Sequence, residues 1–268
     1  MKTLPDYRAG DIARRNKHAL KLAKKLGLVT ASGISSGAEQ LPQSLCQAVV
    51  ASERMLAQEA MKRFAYAADE GQTVLFLTIC RPEWTCDAGQ LSPALISEVR
   101  NWMSRRARNL TVHGQQRMLG FVDIAWNDRS AIGLSSHWNV HAHVLFLIEN
   151  NPPTPRRSVR SAFRCQGDGD RVAKPVYVRQ ARAGLDVFRV GEYNSRALLL
   201  EHHQRRRSYV DRNGQLQTRD MVLASAQAQE LAAVVHQLGP QKFWILSGLR
   251  RKHGQIMLHD NARERSKV

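Results

Sequence analysis

The sequence has few cysteines, few acidic residues relative to basic ones, and no long apolar run. Its four cysteines form no Cys-x-x-Cys pair, which argues against a disulfide framework and indicates a reducing compartment. No window approaches the ~18 apolar residues of a membrane span, and the N-terminal stretch lacks the apolar core of a secretion signal. No Gly-x-x-x-x-Gly-Lys-Ser/Thr element supports an ATP-driven motor. We therefore expect a cytoplasmic protein with no membrane partner.

Basic residues strongly outnumber acidic ones. The chain has 40 Lys and Arg against 23 Asp and Glu, a formal net charge of +17 at pH 7. Such an excess attracts polyphosphates, and clusters of arginine without acidic neighbours indicate a surface that follows a nucleic-acid backbone. We expect DNA contacts from residues in these clusters: Arg105, Arg106, Arg156, Arg157, Arg205, Arg206 and Arg207.

Hydrophobic periodicity and turn signals predict alternating helices and strands along the 268 residues. One helix has clear N-terminal signals, with Ser92 as N-cap and Pro93 at its first position. The Asn213-Gly214 pair suits a type I′ hairpin turn. Other predicted helices cover residues 13–26, residues from 45 to the turn signal DEGQ at 69–72, residues 191–203 and residues 221–238. Strands are predicted at 74–80, 118–126, 137–148, 176–178, 185–190 and 243–246.

Two histidines lie two residues apart in the apolar run HWNVHAHVLFLIE at 137–149. If this run is a buried strand, His141 and His143 share one face at a spacing of roughly 7 Å. Buried imidazoles need polar partners, and one divalent cation would satisfy both. The spacing therefore predicts a metal-binding pair.

Three sequence segments occur in the order of a known set of motifs: FLTIC at 76–80, WNVHAHVLF at 138–146 and GLDVFRVGEYNSR at 184–196. Together they resemble the strand motif, the metal strand and the tyrosine segment of HUH endonucleases, in particular the replication initiators of rolling-circle plasmids. The resemblance spans about residues 73 to 200. It implies that Mg²⁺ or Mn²⁺ binds His141 and His143, and that Tyr193 attacks a DNA phosphodiester.

The resemblance also assigns supporting residues, with departures from the usual pattern. Arg196 follows Tyr193 by one helical turn, where the family usually has lysine. A glutamate that serves termination in some initiators is replaced by Arg189, and Glu192 lies next to the tyrosine instead. In the metal motifs, Asn139 stands where the family usually has a third histidine, and Trp126 stands where an acidic residue is expected. Asn139 and His137 share strand parity with His141, so either could approach the site as an alternative ligand. Asp123 is the nearest strand carboxylate and our predicted third ligand.

The implied function is a sequence-directed nick in single-stranded or hairpin origin DNA, which leaves a free 3′-OH and a 5′-phosphotyrosyl end. The host replication machinery would then be a further partner. Alternatives are a single-tyrosine transposase of the same superfamily and a non-catalytic DNA-binding module. A cupin-like metal site with Glu149 is disfavoured, because Glu149 would lie roughly 20 Å along the strand from His143.

The predicted fold is α+β, with a central antiparallel sheet of the HUH, palm-like type. Helices are expected to pack on the one face opposite the histidines, with further helical segments flanking the sheet. We expect a basic N-terminal helical region at 1–69, a catalytic domain at 70–205, and a C-terminal extension of hairpin and helix at 206–268.

Overall fold

The computed structural model describes residues 9–25, 30–31, 39–40, 47–109, 116–148, 154–165, 172, 175–195, 204–252 and 255–258. Within these ranges the chain forms six α-helices: α1 (Ala9–Lys25), α2 (Gln47–Asp69), α3 (Pro93–Asn109), α4 (Pro155–Ala162), α5 (Gly184–Ser195) and α6 (Ser225–Leu238). None of these helices is long and apolar enough to cross a membrane.

Strands in the described ranges form one large sheet and two small ones. The small sheets pair β1 (Thr30–Ala31) with β2 (Glu39–Gln40), and β10 (Leu249–Lys252) with β11 (Gln255–Leu258). The large sheet has seven strands: β3 (Thr73–Cys86), β4 (Gln116–Asp128), β5 (His137–Ile148), β6 (Val176–Gln180), β7 (Gln204–Val210), β8 (Leu216–Val222) and β9 (Trp244–Ser247).

The large sheet is mixed rather than purely antiparallel. Its order is β6-β3-β5-β4-β7-β8, and β9 pairs with the other half of the same edge of β4. The β4–β7 pair is parallel, whereas the other pairs are antiparallel. The prediction of an antiparallel sheet is therefore confirmed for most strand pairs and wrong for the β4–β7 pair. A long connection between residues 128 and 204 makes the parallel return to β4 possible.

Helices cover both faces of this sheet. On one face of β5, the ring of Phe146 contacts Phe163, whose ring contacts Trp102 of α3. On the other face, Leu147 lines a small cavity together with Phe64 of α2. The expectation that helices pack on one face only is wrong, because the C-terminal half of β5 is apolar on both sides and each side must be covered.

The segment 185–190, predicted as a strand, is part of α5. Its packing against α2 explains the difference. The Gly184 amide donates to Asp69 Oδ1 at 2.8 Å, and Gly191 comes so close to Met61 that an added Cβ would overlap the Met61 side chain. Tertiary contact with a neighbouring helix therefore outweighs the β propensity of Val187 and its neighbours.

The segment after residue 205 contributes to the same sheet as the predicted catalytic domain. Strands β7 and β8 form the predicted hairpin, but Gly214 N donates to Asp211 O at 3.0 Å, so Arg212 and Asn213 are the central turn residues. Gly214 follows them with φ +75°, so the connection is a longer loop than the predicted two-residue type I′ turn. The last predicted helix begins at Ser225, because residues 221–222 end β8.

Candidate metal centre

Asp123, His141 and His143 converge on the large sheet. One ligand atom from each lies within 4.8 Å of the other two. Asp123 Oδ2 is 3.4 Å from His141 Nε2 and 3.5 Å from His143 Nε2. Adjacent ligands of an octahedral ion with ~2.1 Å bonds are about 3 Å apart, so small adjustments would let all three atoms share one ion. These residues therefore can hold a metal ion, as the sequence predicts.

Strand register brings the three side chains together. His141 is the Cα partner of Asp123 across the β4–β5 pair, and His143 follows two residues later on the same face. The surrounding strand is apolar and buried, which fixes which face each side chain occupies. We call the face that carries Asp123, His141 and His143 the metal face.

Each imidazole uses its Nδ1 atom for a contact within the protein. His143 Nδ1 lies 2.9 Å from Thr78 Oγ1, and His141 Nδ1 lies 3.3 Å from the Asn139 carbonyl oxygen. When Nδ1 carries the proton and donates it, the Nε2 lone pair is left for a metal ion. The Asp123 carboxylate is oriented in a similar way, because its Oδ1 accepts a hydrogen bond from the Ile124 amide at 2.8 Å.

Burial keeps His143 in the form that a metal ion requires. It lowers the pKa of His143 below the ordinary value of 6.5, and the charge of Arg206 acts in the same direction, whereas Asp123 opposes the shift. The Cys80 thiol lines the same pocket, and burial, supported by the Cys165 thiol, raises its pKa to about 12. At neutral pH the thiol is therefore protonated, and we do not assign it as a nucleophile.

Two alternative ligands considered from the sequence occupy different places. Asn139 lines the pocket, and its buried Oδ1 atom has no hydrogen-bond partner among the residues that the structure describes. It lies opposite Thr85, where β3 shifts its register relative to β5 between Cys80 and Thr85. His137 is turned to other contacts, with Nε2 3.2 Å from Asn127 Nδ2 and Nδ1 3.4 Å from the Ser135 carbonyl oxygen.

The residues predicted around the nucleophile are only partly described. Tyr193 lies in the last turn of α5 and is therefore on a helix, as the sequence predicts. Its side chain is outside the described residues. Arg196 is outside them altogether. Glu192 is half-buried in α5. The structure thus brings Asp123, His141 and His143 together and gives no side-chain geometry for Tyr193.

Other tyrosines are described, and Tyr177 is the notable one. It is the Cα partner of Thr78, which in turn is the Cα partner of His143. All three therefore project from the metal face, and two strand spacings put the Tyr177 Cα atom about 10 Å from that of His143. The Tyr177 side chain is 50% exposed. Tyr66 lies in α2 and Tyr209 in β7, while Tyr7 is outside the described residues.

The predicted DNA-contacting arginines fall into different environments. Arg105, Arg106, Arg156 and Arg157 are exposed; Arg106 lies over the Trp102 ring at 5.2 Å and Arg156 donates to the Val178 carbonyl oxygen. Arg205 instead makes an ion pair with the buried Asp128 at 2.6 Å, and Arg207 lies 3.9 Å from the same carboxylate. Arg206 lines the metal pocket together with Asp220.

Several residues of this site were not found from the sequence. Thr78 lies in the strand predicted at 74–80, yet its contact with His143 depends on the pairing of strands that are 65 residues apart. The pairing of Arg206 with Asp220 depends on the length of the turn, because the predicted two-residue turn would place Arg206 opposite Met221, whereas the observed longer loop places it opposite Asp220. No local pattern in the sequence predicts the Asp128–Arg205 pair, because this pair depends on the parallel return of β7 to β4.

Comparisons with protein-family models, with curated proteins and with solved structures found no significant match to this chain.

Proposed function

We propose that this protein is a metal-dependent endonuclease that cleaves single-stranded DNA through a tyrosine nucleophile, as rolling-circle initiators of the HUH superfamily do. The observation that carries the proposal is the Asp123–His141–His143 cluster, with both Nε2 atoms directed at one carboxylate. The mixed sheet with this buried cluster is compatible with the HUH fold. The net charge of +17 supplies the attraction to a polyanionic substrate.

The donor set suits Mg²⁺ or Mn²⁺, because one carboxylate and two neutral imidazoles leave coordination positions for phosphate oxygens. When bound, the ion would neutralise the scissile phosphate and orient it for in-line attack. Thr78 and the Asn139 carbonyl oxygen hold the two imidazoles in the required orientation.

In the proposed step, the phenol oxygen of Tyr193 forms a bond to phosphorus, and the bond between phosphorus and the 3′ oxygen breaks. The phenol gives up its proton and the departing 3′ oxygen accepts one, so no water is consumed. The products are a free 3′-OH and a 5′ end linked to tyrosine. Arg196 and Glu192 are the nearby charged residues that the family resemblance assigns to supporting roles.

The test is the formation of a covalent adduct with a random pool of single-stranded oligonucleotides labelled at the 3′ end. With Mn²⁺ present, we expect the wild-type chain to carry label through denaturing electrophoresis. The paired substitution His141→Ala and His143→Ala should abolish the adduct but retain DNA affinity, which comes from the basic surface. His236→Ala, in α6, serves as a control histidine substitution.

Peptide mapping of the adduct identifies the nucleophile. We expect label on Tyr193 and its loss in Tyr193→Phe, with fold and DNA binding retained. Label on Tyr177, the described tyrosine that projects from the metal face, would reject Tyr193 but keep the enzyme class. If the wild-type protein forms no adduct with any member of the pool, the proposal is rejected in favour of a non-catalytic DNA-binding module.

A further inference from the structure

The β7–β8 hairpin starts beside the metal pocket, and most of its described residues are exposed. Within the described part of the chain, its pairing with the rest of the large sheet is confined to Arg205, Arg206 and Arg207, which lie beside the end of β4. Every residue of β8 is exposed to solvent. The hairpin is therefore an arm that is anchored at one end.

The arm has two chemically different faces, because successive residues of a strand alternate. Arg206 pairs with Asn127, which has the same parity as Asp123, so Arg206 lies on the metal face. Arg205 and Arg207 lie on the opposite face, where both approach Asp128. Arg219 is the cross-strand partner of Arg207 and shares that opposite face.

Arg206 is held at the pocket by an acidic neighbour. Its Nε atom lies 3.4 Å from Asp220 Oδ1, and the two side chains are 55% and 50% exposed. Both residues line the pocket that contains Asp123, His141 and His143. The positive charge of Arg206 acts on His143 and on Cys80 within the same pocket. Arg206 is thus a cation presented to the metal centre yet open to solvent.

We propose that the metal face of the β7–β8 arm binds the backbone of the substrate strand, with Arg206 on a phosphate beside the one at the metal centre. This inference rests on the proposed nuclease function. The arginine fork matches two phosphate oxygens, and Asp220 orients that fork before the substrate arrives. Farther along the same face, Ser208 and Thr218 are cross-strand partners whose hydroxyl groups can donate to further phosphate oxygens.

Arg205 cannot take this role, because its guanidinium group is already bound to Asp128 by two contacts, at 2.6 and 2.9 Å. Substitution of Arg205, Arg206 and Arg207 together would therefore break the contacts between the arm and Asp128 as well as remove positive charge. Substitution of Arg206 alone therefore tests phosphate binding without disturbing the attachment of the arm to β4.

The test compares Arg206→Ala with Arg219→Ala, which removes the same charge from the opposite face of the same arm. Binding of fluorescein-labelled oligo(dT) is measured in EDTA over a range of salt concentrations. We expect Arg206→Ala to reduce the slope of log K against log salt by about 0.7, the value for one single-strand phosphate contact, and Arg219→Ala to leave it unchanged. Thermal unfolding of both variants checks that the hairpin is intact.

A second measurement addresses the metal centre directly. Arg206→Ala should slow adduct formation at saturating DNA by about a hundredfold without a fall in Mn²⁺ affinity, because the lost group is a cation, and Arg206→Lys should recover part of the rate. Equal losses of slope in Arg206→Ala and Arg219→Ala would overturn the assignment of the binding face. If wild-type protein forms no adduct, the nuclease proposal fails, but the binding comparison in EDTA still decides the role of the arm.

Discussion

At the residue scale, His143 is constrained at both ring nitrogens. Its Nδ1 atom contacts Thr78 Oγ1, its Nε2 atom faces Asp123, and its ring stacks on Phe76 with centroids 5.9 Å apart. A ring fixed in this way needs little rearrangement to bind an ion. Burial lowers the pKa of His143, so protons compete with a metal ion less than they would at an ordinary histidine.

Thr78 should therefore influence metal binding without being a ligand. We expect Thr78→Val to lower Mn²⁺ affinity by about tenfold to a hundredfold, because the His143 ring loses the partner that fixes its tautomer and orientation. Thr78→Ser keeps a hydroxyl group and should stay close to wild type. Isothermal titration calorimetry at pH 7.5 measures both affinities. Equal affinities for the valine and serine variants would contradict this role.

At the element scale, Asp128 joins three segments of the chain. Its carboxylate accepts hydrogen bonds from Ser130, Ser136 and Arg205, at the point where β4 pairs with β7. Burial alone would raise the pKa of Asp128, but hydrogen bonds from Ser130 and Arg205, together with the arginine charge, lower it to about 2. This buried carboxylate is the anchor of the β7–β8 arm.

The same anchor predicts a pH dependence of stability. The pKa of Asp128 is 3.8 in its ordinary state and about 2 in the fold, so its contribution is present above pH 3.8 and is lost as the pH falls towards 2. Asp128→Asn should lower the free energy of unfolding by about 2 kcal/mol at pH 7. The difference from wild type should shrink between pH 4 and pH 2.

Urea unfolding monitored by circular dichroism measures these free energies. Asp220→Asn is the control, because that half-exposed carboxylate should change stability by less than about 0.5 kcal/mol. A wild-type advantage over Asp128→Asn that persists unchanged to pH 2 would show that the lowered pKa of Asp128 does not stabilise the fold.

At the scale of the whole molecule, the charge of +17 dominates the encounter with other polymers. Basic residues lie on α1, α3, α4 and the β7–β8 arm and are not confined to the metal pocket. DNA affinity and metal binding should therefore be separable properties. Counterion release makes the affinity depend strongly on salt.

We expect the affinity for single-stranded DNA to fall by about a thousandfold between 50 and 200 mM salt, as for a protein with several phosphate contacts. The variant with His141→Ala and His143→Ala should show the same salt slope, since neither histidine belongs to the basic clusters. Fluorescence anisotropy with labelled oligo(dT) gives both slopes. An affinity that does not change with salt would argue against backbone binding through the basic surface.

Local sequence patterns were sufficient for several elements of the fold and for the placement of two candidate metal ligands on one face. The apolar run around His141 and His143 predicts a buried strand, and period-two alternation then places both imidazoles on one face. Asp123 came instead from the family resemblance, as the nearest carboxylate in the preceding strand, whereas Ser92-Pro93 predicted the start of α3 directly. These signals concern residues close in sequence, where backbone geometry alone relates one side chain to the next.

Tertiary structure alone determined the features that depend on distant residues. Residues 185–190 form a helix because Gly184 and Gly191 pack on α2, which their own composition does not reveal. The parallel return of β7 to β4 creates the Asp128 anchor and carries Arg206 to the metal pocket. Such contacts arise when separate elements bury their apolar faces against each other, so their free energy belongs to pairs of segments that no local pattern in the sequence relates.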